Sequence, residues 1–254
     1  MKVLLSPAKS IDTTKVKGSY SFSIPYFIND SEKLVQKLKR IKANKLADMM
    51  HISMDLAELN ELRFTNWQVP SQQTAEIVPS VLAFSGEVYR GLDAHSLDKA
   101  ELSRANEKIR ILSGLYGILK PLDLLVPYRL EMGTKWEISP KTKNLYQFWG
   151  KKIAEELNKE MSASEVVVNL ASTEYFKAVD KKTLKAKVIT PMFKDFKNGE
   201  YKIVMMYAKH ARGAMARYIV KNDITDPEEL KLYNVDGYSF DVNQSTETEL
   251  VFVR

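Results

Sequence analysis

Glu165-Val166-Val167-Val168-Asn169-Leu170 is the clearest buried strand in the chain: a compact run of β-branched residues that ends on a polar one. Upstream, Asn144 to Met161 reads as a helix with Ile153, Ala154 and Leu157 as its buried stripe. Downstream, Lys187–Phe196 and Tyr201–Tyr207 flank Lys197-Asn198-Gly199-Glu200, and Asn-Gly between two strand-like runs is a strong hairpin signal. A strand, a helix before it and a hairpin after it point to a mixed α/β domain with a central mixed sheet surrounded by helices.

The rest of the chain fits that frame. Met1 to Leu5 reads as a first strand, ended by Ser6-Pro7. Leu34, Val35, Leu38 and Ile41 recur at helical spacing behind the start signal Asn29-Asp30-Ser31. A link at Lys42–Lys45 leads to a second helix through Leu46, Met49, Met50, Leu56 and Ala57, giving a helix hairpin over about residues 31–63. Further helices are expected at Thr74–Ala83, Leu97–Lys108 and Ala208–Asn222. Further strands are expected at Ile109–Leu112, Tyr238–Phe240 and Leu250–Val253. No repeat, low-complexity tract or linker interrupts the 254 residues, so residues 1–254 are expected to form one domain.

Composition excludes several chemistries. The chain has no cysteine, which removes thiolate metal sites, disulfides and cysteine nucleophiles. It has no Gly-rich dinucleotide fingerprint, no phosphate loop ending in Gly-Lys-Ser/Thr and no His-Glu-x-x-His. His51, His95 and His210 stand in unrelated contexts, so neither a metal nor a cofactor is expected. No signal-peptide pattern and no stretch near the roughly 18 apolar residues of a membrane span occurs, so a cytoplasmic protein with no membrane partner is expected.

Charge is patterned. The net charge is +6, but Lys181 to Lys221 holds eleven Lys or Arg against two acids, and Asn222 to Arg254 holds eight acids against two bases. On the Ala208–Asn222 helix, Lys209, Gly213, Arg217 and Lys221 fall four apart and form one stripe, with Arg212 beside it. Two readings fit this stripe. A phosphate backbone could approach the bare Gly213, or the glycine could let another helix pack closely. The hairpin is basic as well, with six Lys or Arg and one Glu between Ser31 and Lys45. The amides that open its second helix would suit phosphate.

A second set of polar residues could line a pocket. Asn169, Ser172 and Glu174 lie beyond the carboxyl end of the buried strand, a common ligand position in α/β sheets. Lys9, Tyr116, Arg129, Glu131 and Arg212 could join them, with Glu131 or Glu174 as a general base, or the charges could form a structural ion-pair network. Ser6-Pro7-Ala8-Lys9 fits Ser-x-x-Lys, but the motifs that accompany it in acyl-transfer enzymes are absent.

Five blocks now carry a resemblance: Leu5-Ser6-Pro7-Ala8-Lys9, Ala83–Tyr89, Ser113-Gly114-Leu115-Tyr116-Gly117, Pro127–Gly133 and Leu145–Trp149. With Asn169–Ser172, Glu174–Lys177, Ala211-Arg212-Gly213 and Gly237-Tyr238, they resemble the YaaA peroxide-stress proteins from end to end. The resemblance implies a cytosolic bacterial protein that protects cells under hydrogen peroxide and is linked to lower free iron. It also implies duplex DNA binding, a helix-hairpin-helix element and a fold outside the common superfolds. On this reading a monomer binds double-stranded or branched DNA with little sequence preference. Lys33, Lys37, Arg40, Lys209, Arg212, Arg217 and Lys221 would then meet phosphates. The rival is an enzyme acting on a nucleotide or another small anionic metabolite in the polar pocket.

Overall fold

The computed structural model describes residues 1–162 and 164–254. The first half runs β1 (Lys2–Leu5), α1 (Ile28–Leu38), α2 (Ala43–Met50), α3 (Met54–Asn66), α4 (Glu87–Leu92), α5 (Lys99–Lys108), β2 (Ile109–Ser113) and β3 (Gly117–Leu119). The second runs α6 (Leu145–Trp149), α7 (Lys152–Glu160), β4 (Val166–Asn169), α8 (Thr173–Phe176), β5 (Lys187–Lys197), β6 (Glu200–Lys202), α9 (Met205–Lys221), β7 (Ser239–Phe240) and β8 (Glu249–Val253).

Eight strands form the mixed sheet in the order β7-β8-β5-β4-β1-β2-β3, with β6 returning along β5. Its centre is parallel: β1 pairs with β2 and β4, β4 with β5, and β5 with β8. The edges β3, β6 and β7 are antiparallel. Val3, Leu4, Leu5, Val167 and Val168 are buried, which is why the central strands read as apolar runs rather than as alternations. Parallel pairing also brings the carboxyl ends of β1, β2 and β4 to one edge of the sheet, the edge where the candidate site is built.

Three expectations require correction. The Asn144–Met161 helix is two helices, α6 and α7, because Gly150 between them takes φ +48° and turns the chain. The stretch Thr74–Ala83 is not one helix: it bends at Ala75–Ile77 before an extended pair and a short helical turn. Thr74 Oγ1 accepts the N–H groups of Glu76 and Ile77, and Val78-Pro79 is extended as the residue before a proline prefers. Only Ser80–Ala83 is helical there. The Asn198-Gly199 hairpin forms with both residues at positive φ, yet its second arm stops at Lys202 and Met205 already opens α9.

The basic helical region also differs in detail. Three helices occupy it: α1, α2 and α3, with His51 in the left-handed region ending α2. The apolar spacing through Met50 and Ala57 spans two helices that share a buried side. No helix among the described residues is long and apolar enough to cross a membrane.

Candidate functional site

At the carboxyl edge, the loops after β1 and β4 are tied together. The Ser172 N–H donates to Ser6 Oγ at 2.9 Å, and the Ser6 hydroxyl donates to Ser172 Oγ at 3.3 Å. Asn169 Oδ1 accepts the Ala171 N–H at 3.1 Å and so bends the chain just past β4. The Tyr89 hydroxyl of α4 donates to the Ser6 carbonyl at 3.0 Å, fixing α4 over the same edge.

Three charges meet there. Lys9 Nζ lies 2.7 Å from Glu131 Oε2, and Arg129 Nη2 lies 3.2 Å from Glu131 Oε1. The Lys9 side chain is 63% exposed, whereas Arg129 and Glu131 are 16% and 22% exposed. Arg129 Nε is buried and has no hydrogen-bond partner among the described residues. The Arg129–Glu131 strip is held against the turn after β2: a β-carbon on Gly114 would come within 2.3 Å of the Leu130 carbonyl oxygen. Glu174 Oε1 accepts the Gly133 N–H at 2.8 Å and anchors the far end of the strip.

Tyr128 and Tyr175 wall this cluster, and burial pushes both phenols well above the usual tyrosine range. The enclosed space is about 10 Å³, room for one water rather than for a substrate. The structure therefore brings together Lys9, Arg129 and Glu131, ties Ser172 to Ser6, and sets Glu174 on Gly133. Glu131 serves as the shared counter-ion of two cations. Tyr116 does not reach the cluster: it is fully buried behind it, edge-on to Tyr128 at 5.3 Å, accepting the Trp67 indole N–H at 3.1 Å and donating to the Val126 carbonyl at 3.2 Å.

The two basic elements divide into engaged and free charges. On α9, Arg217 donates to the Leu92 and Asp93 carbonyls at 3.0 and 2.9 Å, and Lys221 pairs with Glu101 at 3.2 Å. Gly213 does not offer a bare patch to solvent; it is buried against Val88 of α4, so the packing reading of this glycine is the correct one. Lys209 is exposed, and among the described residues it has no carboxylate partner. Arg212 is half-buried and also without a side-chain partner among the described residues, and burial holds its guanidinium below the usual arginine range.

On α1, Lys33 pairs with Asp30 at 3.3 Å, while Lys37 and, in the turn just after the helix, Arg40 are exposed and without carboxylate partners among the described residues. The amide end of α2 is already occupied. Glu61 of α3 accepts the Ala43 N–H at 2.7 Å and pairs with Lys42 at 3.0 Å, so a phosphate would have to displace a carboxylate there.

One feature escaped the sequence reading. The β5–β6 hairpin and the first turn of α9 expose Phe196, Tyr201, Ile203, Met205, Met206 and Tyr207. Phe196 and Tyr201 are cross-strand partners with ring centroids 5.2 Å apart. The Asn198-Gly199 turn carries this signal, since it sets Phe196 opposite Tyr201 in register.

Comparison with known proteins agrees over the whole length. The family described as peroxide stress protein YaaA matches residues 1–244. A UPF0246 protein of Aliivibrio fischeri is 49% identical over 100% of this chain and 98% of its own length. UPF0246 proteins of Burkholderia cenocepacia and Flavobacterium psychrophilum are 46% and 47% identical over 100% of this chain, covering 98% and 100% of those proteins. The chain belongs to the YaaA family of peroxide stress proteins.

Proposed function

We propose that this member of the peroxide stress family binds DNA through phosphate contacts with little sequence reading. One observation carries the reading: the segment from β5 through α9 combines basic groups that lack carboxylate partners among the described residues, Lys197, Lys209 and Arg212, with exposed aromatic rings at Phe196, Tyr201 and Tyr207. Unpaired cations attract phosphates, and exposed rings offer stacking faces to bases at a strand end, fork or junction. Arg212 strengthens the case, because a half-buried guanidinium without a carboxylate gains most from an incoming anion. Lys37 of α1 and Arg40 in the turn after it supply a second set of cations without carboxylate partners among the described residues.

The test is fluorescence anisotropy of labelled duplex, single-stranded and branched DNA across a salt series. Wild type is compared with a Lys197/Lys209/Arg212 triple alanine and with a Phe196/Tyr201 double alanine. Binding should weaken steeply with salt, and the triple variant should flatten the dependence. The double variant should lose branched or single-stranded DNA more than duplex. Absence of binding to all three DNAs at low salt overturns the proposal.

A second reading is favoured by Arg129, whose buried Nε lacks a partner beside Glu131 at the carboxyl edge. On that reading the edge takes one small anion that replaces the Glu131 contact after the Lys9 side chain swings away. Thermal shifts with inorganic phosphate and with nucleoside monophosphates distinguish it, since an Arg129→Lys variant would lose the shift while keeping DNA binding.

A further inference from the structure

We infer that Met206 is a site of oxidation by hydrogen peroxide, with His210 as the proton donor that makes it more reactive than the chain's other exposed methionines. Met206 lies in the first turn of α9 and is 55% exposed. It lines a cleft of about 480 Å³ with Glu87 and Arg90 of α4, His210 of α9, Asp236 and Arg254. Met206 and His210 are four residues apart on one helix, so their side chains share a face. His210 Nε2 lies 3.4 Å from Asp236 Oδ2, which holds the imidazole in the cleft.

The chemistry needs that proton. The thioether sulfur attacks one peroxide oxygen, an S–O bond forms and the O–O bond breaks. The departing hydroxide takes a proton from the His210 imidazolium and leaves as water. The hydroxysulfonium then returns its proton to the imidazole, leaving methionine sulfoxide. Sulfur is oxidised by two electrons and peroxide is reduced by two, so one peroxide gives one sulfoxide and one water. Protonating the leaving oxygen is ordinary general acid catalysis. The guanidinium groups of Arg90 and Arg254 in the same cleft are donors suited to the new sulfoxide oxygen.

Two other exposed methionines provide internal references. Met205 is 59% exposed and has Lys209 at the equivalent spacing; Met54 is 47% exposed and has Glu58 there. Exposure alone would therefore put Met205 ahead of Met206. The site stands independently of DNA binding, since its readout is the sulfoxide itself.

The experiment exposes the full chain to hydrogen peroxide, quenches with catalase at intervals and follows sulfoxide at each methionine by peptide mass spectrometry. Met206 should oxidise several-fold faster than both Met205 and Met54. The ratio to Met54 should rise as pH falls from about 8 to about 5, where imidazoles take up a proton. His210→Gln should bring Met206 down to the reference rate. Equal rates at the three methionines, or a Met206 to Met54 ratio flat across that pH range, overturns the inference without requiring any variant to fold.

Discussion

Gly213 of α9 faces the carbonyl oxygen of Val88 in α4 so closely that a β-carbon on it would come within 1.7 Å. Gly91 answers from the other helix, where a β-carbon would come within 2.1 Å of the His210 carbonyl oxygen. The two helices thus meet backbone to backbone, each with a glycine at the crossing. Alanine gains about 1 kcal/mol of helix propensity over glycine, but overpacking against backbone that cannot rotate away costs about 1–3 kcal/mol or more. Gly213→Ala should therefore destabilise the fold by about 2 kcal/mol, read as a lower denaturant midpoint at unchanged slope. A neutral or stabilising Gly213→Ala would mean that the helices are not in this contact.

That crossing shows where sequence reading reaches and where it stops. The strands β1 and β4 were legible because strands buried under helices leave continuous apolar runs, and the Asn-Gly turn was legible because it needs positive φ at both residues. Gly213 was visible as an oddity in a helix, but its partner Val88 lies far away in sequence, so only the fold decides between solvent and helix. The same limit applies to the ions. Arg129 and Glu131 are two residues apart and their pairing was open to inference, whereas Lys9 reaches Glu131 only through the sheet edge. Glu61 closing the start of α2 is another contact that no local pattern announces.

Glu131 should matter more to stability than the lysine it pairs with. Glu131→Gln leaves the mostly buried Arg129 without a counter-charge, and removing one partner of such a pair should cost about 1–3 kcal/mol at this degree of exposure. Lys9 is 63% exposed and its pair is screened by solvent, so Lys9→Ala should cost about 0–1 kcal/mol. Urea denaturation of the two variants checks the order. A larger loss for Lys9 would mean that Arg129 finds its compensation elsewhere.

Asp123 predicts a pH dependence of the opposite sign to that of most carboxylates. It is 2% exposed; the Ser23 hydroxyl donates to it at 2.6 Å and the Lys120 N–H at 2.8 Å. Burial outweighs these bonds and pushes its carboxyl above the usual range. A folded pKa above the unfolded one means that the folded state holds the proton more tightly. The contribution is fully present below the unfolded value, about 4, and is lost as pH rises through the folded one. Wild type should therefore lose stability relative to Asp123→Asn as pH rises through that window. Urea midpoints of both proteins at a series of pH values test it, and parallel curves would place the titration elsewhere.

On the proposed DNA-binding reading, cations that hold the fold differ from cations available to phosphates. Arg217 directs one nitrogen at the Leu92 and Asp93 carbonyls and lies 3.7 Å from the Asp93 carboxylate, so it ties α9 to the end of α4. Arg217→Ala removes charge-assisted hydrogen bonds worth about 1.5–3 kcal/mol, and stability should fall by that order while the salt slope of DNA binding stays unchanged. Lys209 makes no such contact. Lys209→Ala should leave stability within about 0.5 kcal/mol and make the slope of log K against log salt shallower by about 0.9, the loss of one phosphate contact. Lys221, paired with Glu101, should behave as a surface ion pair, costing about 0–1 kcal/mol with no change in slope. Paired thermal melts and anisotropy titrations of the three variants read both quantities. A shallower slope in Arg217→Ala without loss of stability would move Arg217 from the scaffold to the DNA contact, and with it the line along which the duplex must lie.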